Sequence, residues 1–152
     1  MSANDKLEST LVGVAGEYLV AGELALRGFI ASITLRNSRG IDIIASNADG
    51  SSSVSIQVKT NSDGKKSWIL NKKAETFYST NHYYVFVALQ GLEQRPSFHI
   101  VPSKVVAEYT LSSHSEWLKG SKRDGSSRKD SSIRKFNDHE NIYLEAWNLI
   151  QL

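Results

Sequence analysis

The sequence predicts an α/β domain with a mixed central sheet, and three observations carry that prediction. A helical period opens the chain, between Lys6 and Arg27. The period then falls to two, most cleanly in Val54–Lys59. There Val54, Ile56 and Val58 face one way, and Ser55, Gln57 and Lys59 the other. Finally, Tyr83–Leu89 (YYVFVAL) is a continuous apolar run rich in β-branched and aromatic residues, the mark of a strand buried on both faces.

Taken in order, the first helix carries an expected apolar stripe of Leu7, Leu11, Val14, Tyr18 and Ala25. Gly13, Gly16 and Gly22 each cost a helix up to ~1 kcal/mol relative to alanine, so close approach of another backbone is their expected use. Gly28 after Arg27 supplies a C-terminal stop. Phe29–Leu35 reads as a strand, Asn37–Gly40 as a turn, and Ile41–Ala45 as a second strand. Asn47–Ser53 is a hairpin loop leading into the third strand, Val54–Lys59. A turn at Asn61–Lys66 precedes a short strand, Trp68–Leu70, and a helix over Lys72–Tyr78 capped by Asn71. Tyr83–Leu89 and Ser97–Val101 are strands, and Ser103 caps a helix starting near Lys104. Lys119–Lys135 is poor in apolar groups and reads as an exposed, mobile basic loop. Asn141–Leu152 is expected to pack back as a terminal helix.

Composition narrows the function classes. The 152 residues suit a single domain spanning 1–152, and 40% hydrophobic with 22% charged residues argues against wholesale disorder. With no cysteine, a disulfide scaffold, a thiolate zinc site and a cysteine nucleophile are excluded. His82, His99, His114 and His139 lack metal-ligand spacing and read as core or surface residues. No phosphate-binding GKS/T loop or GxSxG elbow is present. Apolar runs fall short of the ~20 residues of a membrane helix, and the N-terminus lacks a secretory layout. A cytoplasmic protein without a membrane partner is the expectation.

Four residues stand out together: Glu17, Asp42, Gln57 and Lys59. Gln57 and Lys59 are two apart on one strand and emerge on the same face. If the preceding strand pairs with theirs as a hairpin, Asp42 lies near the end that carries Lys59. A carboxylate and an amide oxygen are hard donors suited to Mg²⁺, which keeps several waters and accepts substrate phosphate. Glu17, on the flank of the helical stripe, would add a second carboxylate. Lys59 could orient water or neutralise charge growing on a phosphate.

The series GVAGE (Gly13–Glu17), RGIDIIA (Arg39–Ala45) and SIQVKT (Ser55–Thr60) resembles the PD-(D/E)xK nuclease superfamily. It is most similar to the small branch that includes Holliday-junction resolvases and Mrr-type restriction enzymes. The resemblance covers Leu11–Thr60 well and the remainder through element order. It implies a restriction-endonuclease-like αβββαβ core and metal-dependent phosphodiester hydrolysis, with Mg²⁺ or Mn²⁺ as the ion. The main reading is an endonuclease acting on DNA, and an RNA-directed nuclease stays open because phosphate contacts do not separate the two. Asp42, Gln57 and Glu17 would hold the metal and Lys59 would complete the catalytic set. Many relatives act as dimers, which makes a homodimer an expectation. Gly40-Ile41 stands where a proline often precedes the aspartate, and Gln57 replaces a second strand acid. The competing reading is an inactive nuclease fold serving as a binding, immunity or regulatory protein.

Charge adds a partner. Lys119–Lys135 holds seven cations (Lys119, Lys122, Arg123, Arg128, Lys129, Arg134 and Lys135) against Asp124 and Asp130, while the whole chain nets only +2. Arg123, Arg128, Lys129 and Arg134, with Lys65 and Lys66 near the third strand, are therefore candidate nucleic-acid contacts. The same segment reads equally as a solvated linker.

Overall fold

The computed structural model describes residues 6–35 and 38–152. Arg36 and Asn37, where the turn before Gly40 was expected to begin, lie outside the described residues. Helix α1 (Ser9–Leu26) leads into β1 (Ile30–Ile33), β2 (Ile43–Ser46), β3 (Ser53–Asn61) and β4 (Ser67–Asn71). A 3-10 turn (Lys72–Glu75) precedes β5 (His82–Ala88) and β6 (Ser97–Pro102), followed by α2 (Ser103–Lys119) and β7 (Ile133–Asn137). The main sheet has the order β1-β2-β3-β5-β6. Strands β3 and β5 pair in parallel and the other described pairs are antiparallel, so the sheet is mixed as the sequence predicts. Strands β4 and β7 form a separate antiparallel ribbon.

Each face of the sheet has its own core. Val20 and Leu24 of α1 pack with Ile43, Ala45, Val54, Ile56 and Val58 on one side. On the other, Tyr84 and Phe86 meet Trp68 and Leu70 of β4, Val106 of α2 and Phe136 of β7. All seven residues of β5 are buried, which accounts for its unbroken apolar sequence.

Helix α1 turns a different face inward from the one expected. Val12, Gly16, Val20 and Leu24 are buried, whereas Leu11 and Tyr18 are 52% and 67% exposed. The smallest residue decides the rotation. A Cβ on Gly16 would stand 1.8 Å from Thr60 Oγ1, so only glycine allows α1 to lie this close to β3. Gly13 and Gly22 have open space at the same position and show no such approach. By length and composition α1 also passes as a membrane span, with mean hydropathy 1.2. Here it is packed on the sheet through that i, i+4 stripe. Gly28, at φ +88°, stops the helix as expected, with Phe29 N–H donating to the Leu24 carbonyl.

Three further expectations are corrected. The helix over Lys72–Tyr78 is only the 3-10 turn, although Asn71 does cap it, accepting from Lys73 N–H at 3.1 Å. Lys72 N–H is still bonded to Ser132 across the ribbon, leaving little chain for a helix before β5. The terminal helix is absent apart from a 3-10 turn at Trp147–Leu149. Backbone groups there bond elsewhere: Asp138 accepts from Ile142 and Tyr143 N–H, and Glu145 N–H reaches Phe98. Such tertiary bonds outcompete helix formation. Finally, the basic segment ends in β7, with Arg134 buried. Its exposed part is an organised hairpin in which Lys122 N–H donates to Ser126 O, and Gly125 adopts φ +83°.

Candidate active site

The central feature is the point where β2 leaves β3. The register pairs Ile43 with Ile56, yet Asp42 N–H also donates to the Ile56 carbonyl, at 2.8 Å. Two residues opposite one is the count of a β-bulge, a device that re-aims a side chain at the end of a pairing. Beyond it, the next β3 donor facing β2 is Val58 N–H, and Asp42 Oδ2 takes it at 2.7 Å. The carboxylate thus replaces the missing strand partner and is fixed in orientation beside Lys59. The hairpin juxtaposition expected of Asp42 and the Lys59 end of β3 is present.

Burial pushes the Asp42 carboxyl above its ordinary range, and the Val58 N–H and the Lys59 charge oppose that shift without cancelling it. A raised folded-state value means that folding favours the protonated form. That stabilising contribution is present below the unfolded carboxylate range and is lost as pH rises through the raised value. Ionised Asp42 therefore costs stability at neutral pH. Asp42→Asn, which keeps an acceptor for Val58 N–H, should raise the melting temperature of metal-free protein at pH 7 and leave it unchanged well below the carboxylate range. Paired thermal melts at the two pH values check this, and equal melting at pH 7 would refute it.

Gln57 and Lys59 lie on the opposite face from α1, where they line a cavity of about 530 Å³. The register sets Gln57 beside Tyr84 and Lys59 beside Phe86. Leu70 and Asn71 of β4, Lys73 and Ala74 of the 3-10 turn, Phe77, Arg39 and Gly40 complete the wall. Gly40 is required at its position. Its φ is +66°, and a Cβ there would sit 3.2 Å from the Phe77 ring and 3.5 Å from Gln57 Oε1.

The four predicted catalytic residues are thus distributed over three places. Gln57 and Lys59 share the cavity. Asp42 occupies the strand split beside them and is not part of the cavity wall. Glu17 rides on α1 over the other face, one residue after the Gly16–Thr60 contact and therefore level with the end of β3 that carries Lys59. Among the described residues, no three His, Cys, Asp or Glu side chains cluster as a metal site. A carboxylate of fixed orientation and a neighbouring amide oxygen still suit a hard ion that keeps most of its water.

The predicted nucleic-acid contacts fare unevenly. Lys65 is exposed, 3.5 Å from Asp63, and Lys66 is half-buried. Arg123 and Lys129 are exposed. Arg128 is half-buried, donating to the Trp117 carbonyl at 2.7 Å with its guanidinium 4.9 Å from the indole centroid. Arg134 is withdrawn as a contact: it is 3% exposed, ion-paired with Glu75 and bonded to the Ser131 and Ile133 carbonyls. Its long side chain reads as surface in sequence because the acid that buries it lies in a distant element. The sequence offers Arg39 as part of a turn and of the RGIDIIA series, and nothing in either pattern marks it as a cavity residue.

No family model and no curated protein matches the chain. Solved structures do. The bacterial homing endonuclease I-Ssp6803I is 18% identical with a TM-score of 0.55, covering 95% of this chain and 93% of its own. The Holliday junction resolvase Hjc of Archaeoglobus fulgidus is 16% identical with a TM-score of 0.47, covering 86% of each chain. The first of these similarities, over nearly the whole length of both chains, bears on the architecture alone: the chain has a restriction-endonuclease-like fold.

Proposed function

We propose that this protein is a divalent-metal-dependent nuclease acting on DNA. The observation that carries the proposal is the placement of Asp42 at the β2–β3 split, its carboxylate oriented by Val58 N–H, directly beside Lys59 in a cation-lined cavity. Its architecture, like that of the homing endonuclease, supports the reading. Asp42, with the neighbouring Gln57, would hold Mg²⁺ or Mn²⁺, which when bound polarises a phosphoryl oxygen, whereas Glu17 lies over the other face of the sheet. Lys59 offers a positive charge where negative charge develops on phosphorus oxygens. The walls of β4 and the 3-10 turn limit water around that charge and strengthen its field. Lys65, Lys66, Arg123 and Lys129 would hold the phosphate backbone further out.

The test begins with metal. Mn²⁺ or Mg²⁺ at millimolar concentration should raise the melting temperature of the wild type, through preferential binding to the folded state. Asp42→Ala should lose that response while remaining folded. Cleavage of plasmid and oligonucleotide substrates should require the metal and vanish in the variant. An identical metal response in both proteins would remove Asp42 from the site. Absence of cleavage with every metal would favour the inactive, binding-protein reading.

A further inference from the structure

The cavity beside Lys59 has a composition that phosphodiester hydrolysis alone does not require. Arg39, Lys59 and Lys73 line it, and among the described residues no aspartate or glutamate does. Its remaining wall is largely apolar and aromatic: Leu70, Ala74, Phe77 and Tyr84. Burial pushes the Tyr84 hydroxyl up to about 12, so it stays a hydrogen-bond donor at neutral pH. At about 530 Å³ the space falls within the usual range for a small-molecule site. The Phe77 ring is 40% exposed and held edge-on against His82, with ring centroids 4.9 Å apart.

We infer that this cavity binds one unpaired nucleotide, its phosphate among Arg39, Lys59 and Lys73 and its base against Phe77. The inference rests on the nuclease reading for its setting but adds a substrate class. Asp42 beside Lys59 offsets that charge, but Arg39 and Lys73 have no acid in the described wall, and the surplus favours an anion. An aromatic and aliphatic wall on the same cavity favours a flat apolar surface attached to that anion. A base within a duplex is stacked on its neighbours and does not enter a walled pocket without being unpaired. The favoured nucleic acid therefore carries a single-stranded extension, gap or branch beside the bond to be cut.

The experiment is done in EDTA on Asp42→Asn protein, so that neither metal binding nor cleavage enters. Calorimetric titration with thymidine 5′-monophosphate should show binding, and inorganic phosphate should bind more weakly. Phe77→Ala should weaken the nucleotide by about 5- to 100-fold, the range for losing one base–aromatic contact, and leave phosphate unchanged. Phe77→Leu, which preserves apolar volume, should also weaken the nucleotide and guards against a folding defect. Lys73→Ala should weaken both ligands. A hairpin duplex with a single-stranded extension should bind more tightly than its blunt counterpart, and Phe77→Ala should erase the difference. Equal affinity for phosphate and nucleotide, or equal binding of the two hairpins by the starting protein, would overturn the inference. Either result leaves the nuclease reading standing. Failure of metal binding and cleavage in the wild type would in turn leave nucleotide binding intact.

Discussion

Lys59→Ala is expected to lower phosphodiester cleavage by about 100-fold or more, with a much smaller change in DNA affinity. The magnitude follows from losing one fixed charge aimed at the developing oxyanion, in a site partly walled from water. Lys59 is held for that task by β3, whose register beside β5 is fixed over seven residue pairs. The neighbouring Val58 also anchors Asp42, so any displacement of β3 moves both groups together. Rates under saturating substrate, compared with affinities measured in Ca²⁺ or EDTA, separate the transition-state effect from binding. A variant that cleaves as fast as the wild type would place the chemistry elsewhere. A loss confined to affinity would reduce Lys59 to an anion-binding residue.

Gly16→Ala should destabilise the protein by about 2 kcal/mol, against the usual direction of glycine-to-alanine changes inside helices. Alanine gains up to ~1 kcal/mol of helix propensity. Overpacking costs ~1–3 kcal/mol, and here the upper part of that range applies. The new Cβ would lie 1.8 Å from Thr60 Oγ1 and 2.9 Å from Thr60 Cβ, and a β-branched side chain has few rotamers with which to yield. The helix cannot simply tilt, because Val12, Val20 and Leu24 are buried on either side of the contact. Thr60→Ala supplies the control. Thr60 Oγ1 is buried and has no hydrogen-bond partner among the described residues, so its removal loses no bond there. In the double variant the two changes should be non-additive by ~0.5 kcal/mol or more, with part of the stability recovered. Denaturant midpoints measure all three proteins, and simple additivity would show that the contact does not govern how α1 sits. Glu17 adjoins this contact, so Gly16→Ala should also reduce cleavage if that carboxylate belongs to the site.

Much of the architecture was legible because it is periodic. The alternation of Val54–Lys59 announces which side chains share a face, and the structure puts Gln57 and Lys59 together as that pattern requires. The unbroken apolar run before Leu89 marks β5, a strand buried on both faces, and Asn71 marks a cap. The rotation of α1 was misread for a physical reason. Apolar periodicity favours the face with the larger side chains, Leu11 and Tyr18, whereas close packing selected the face containing Gly16.

What the sequence by itself determined is the α/β class, the mixed sheet and the placement of Gln57 and Lys59 on one strand face, since these follow from spacings of two to four residues. Only the tertiary structure decided how Asp42 is held, which cations remain available and what surrounds Lys59. Asp42 depends on a bulge and a bond to Val58 across the hairpin. Arg134 is removed from solvent by Glu75, and the ribbon that sets Leu70 opposite Arg134 joins distant segments of the chain. Arg39, Lys73 and Phe77 likewise come from a turn and a connection without periodicity, and only the packing of those segments against β3 and β5 makes them one wall. Local patterns encode the face a residue takes, but non-local contacts, formed against the entropy of closing long loops, select its neighbours.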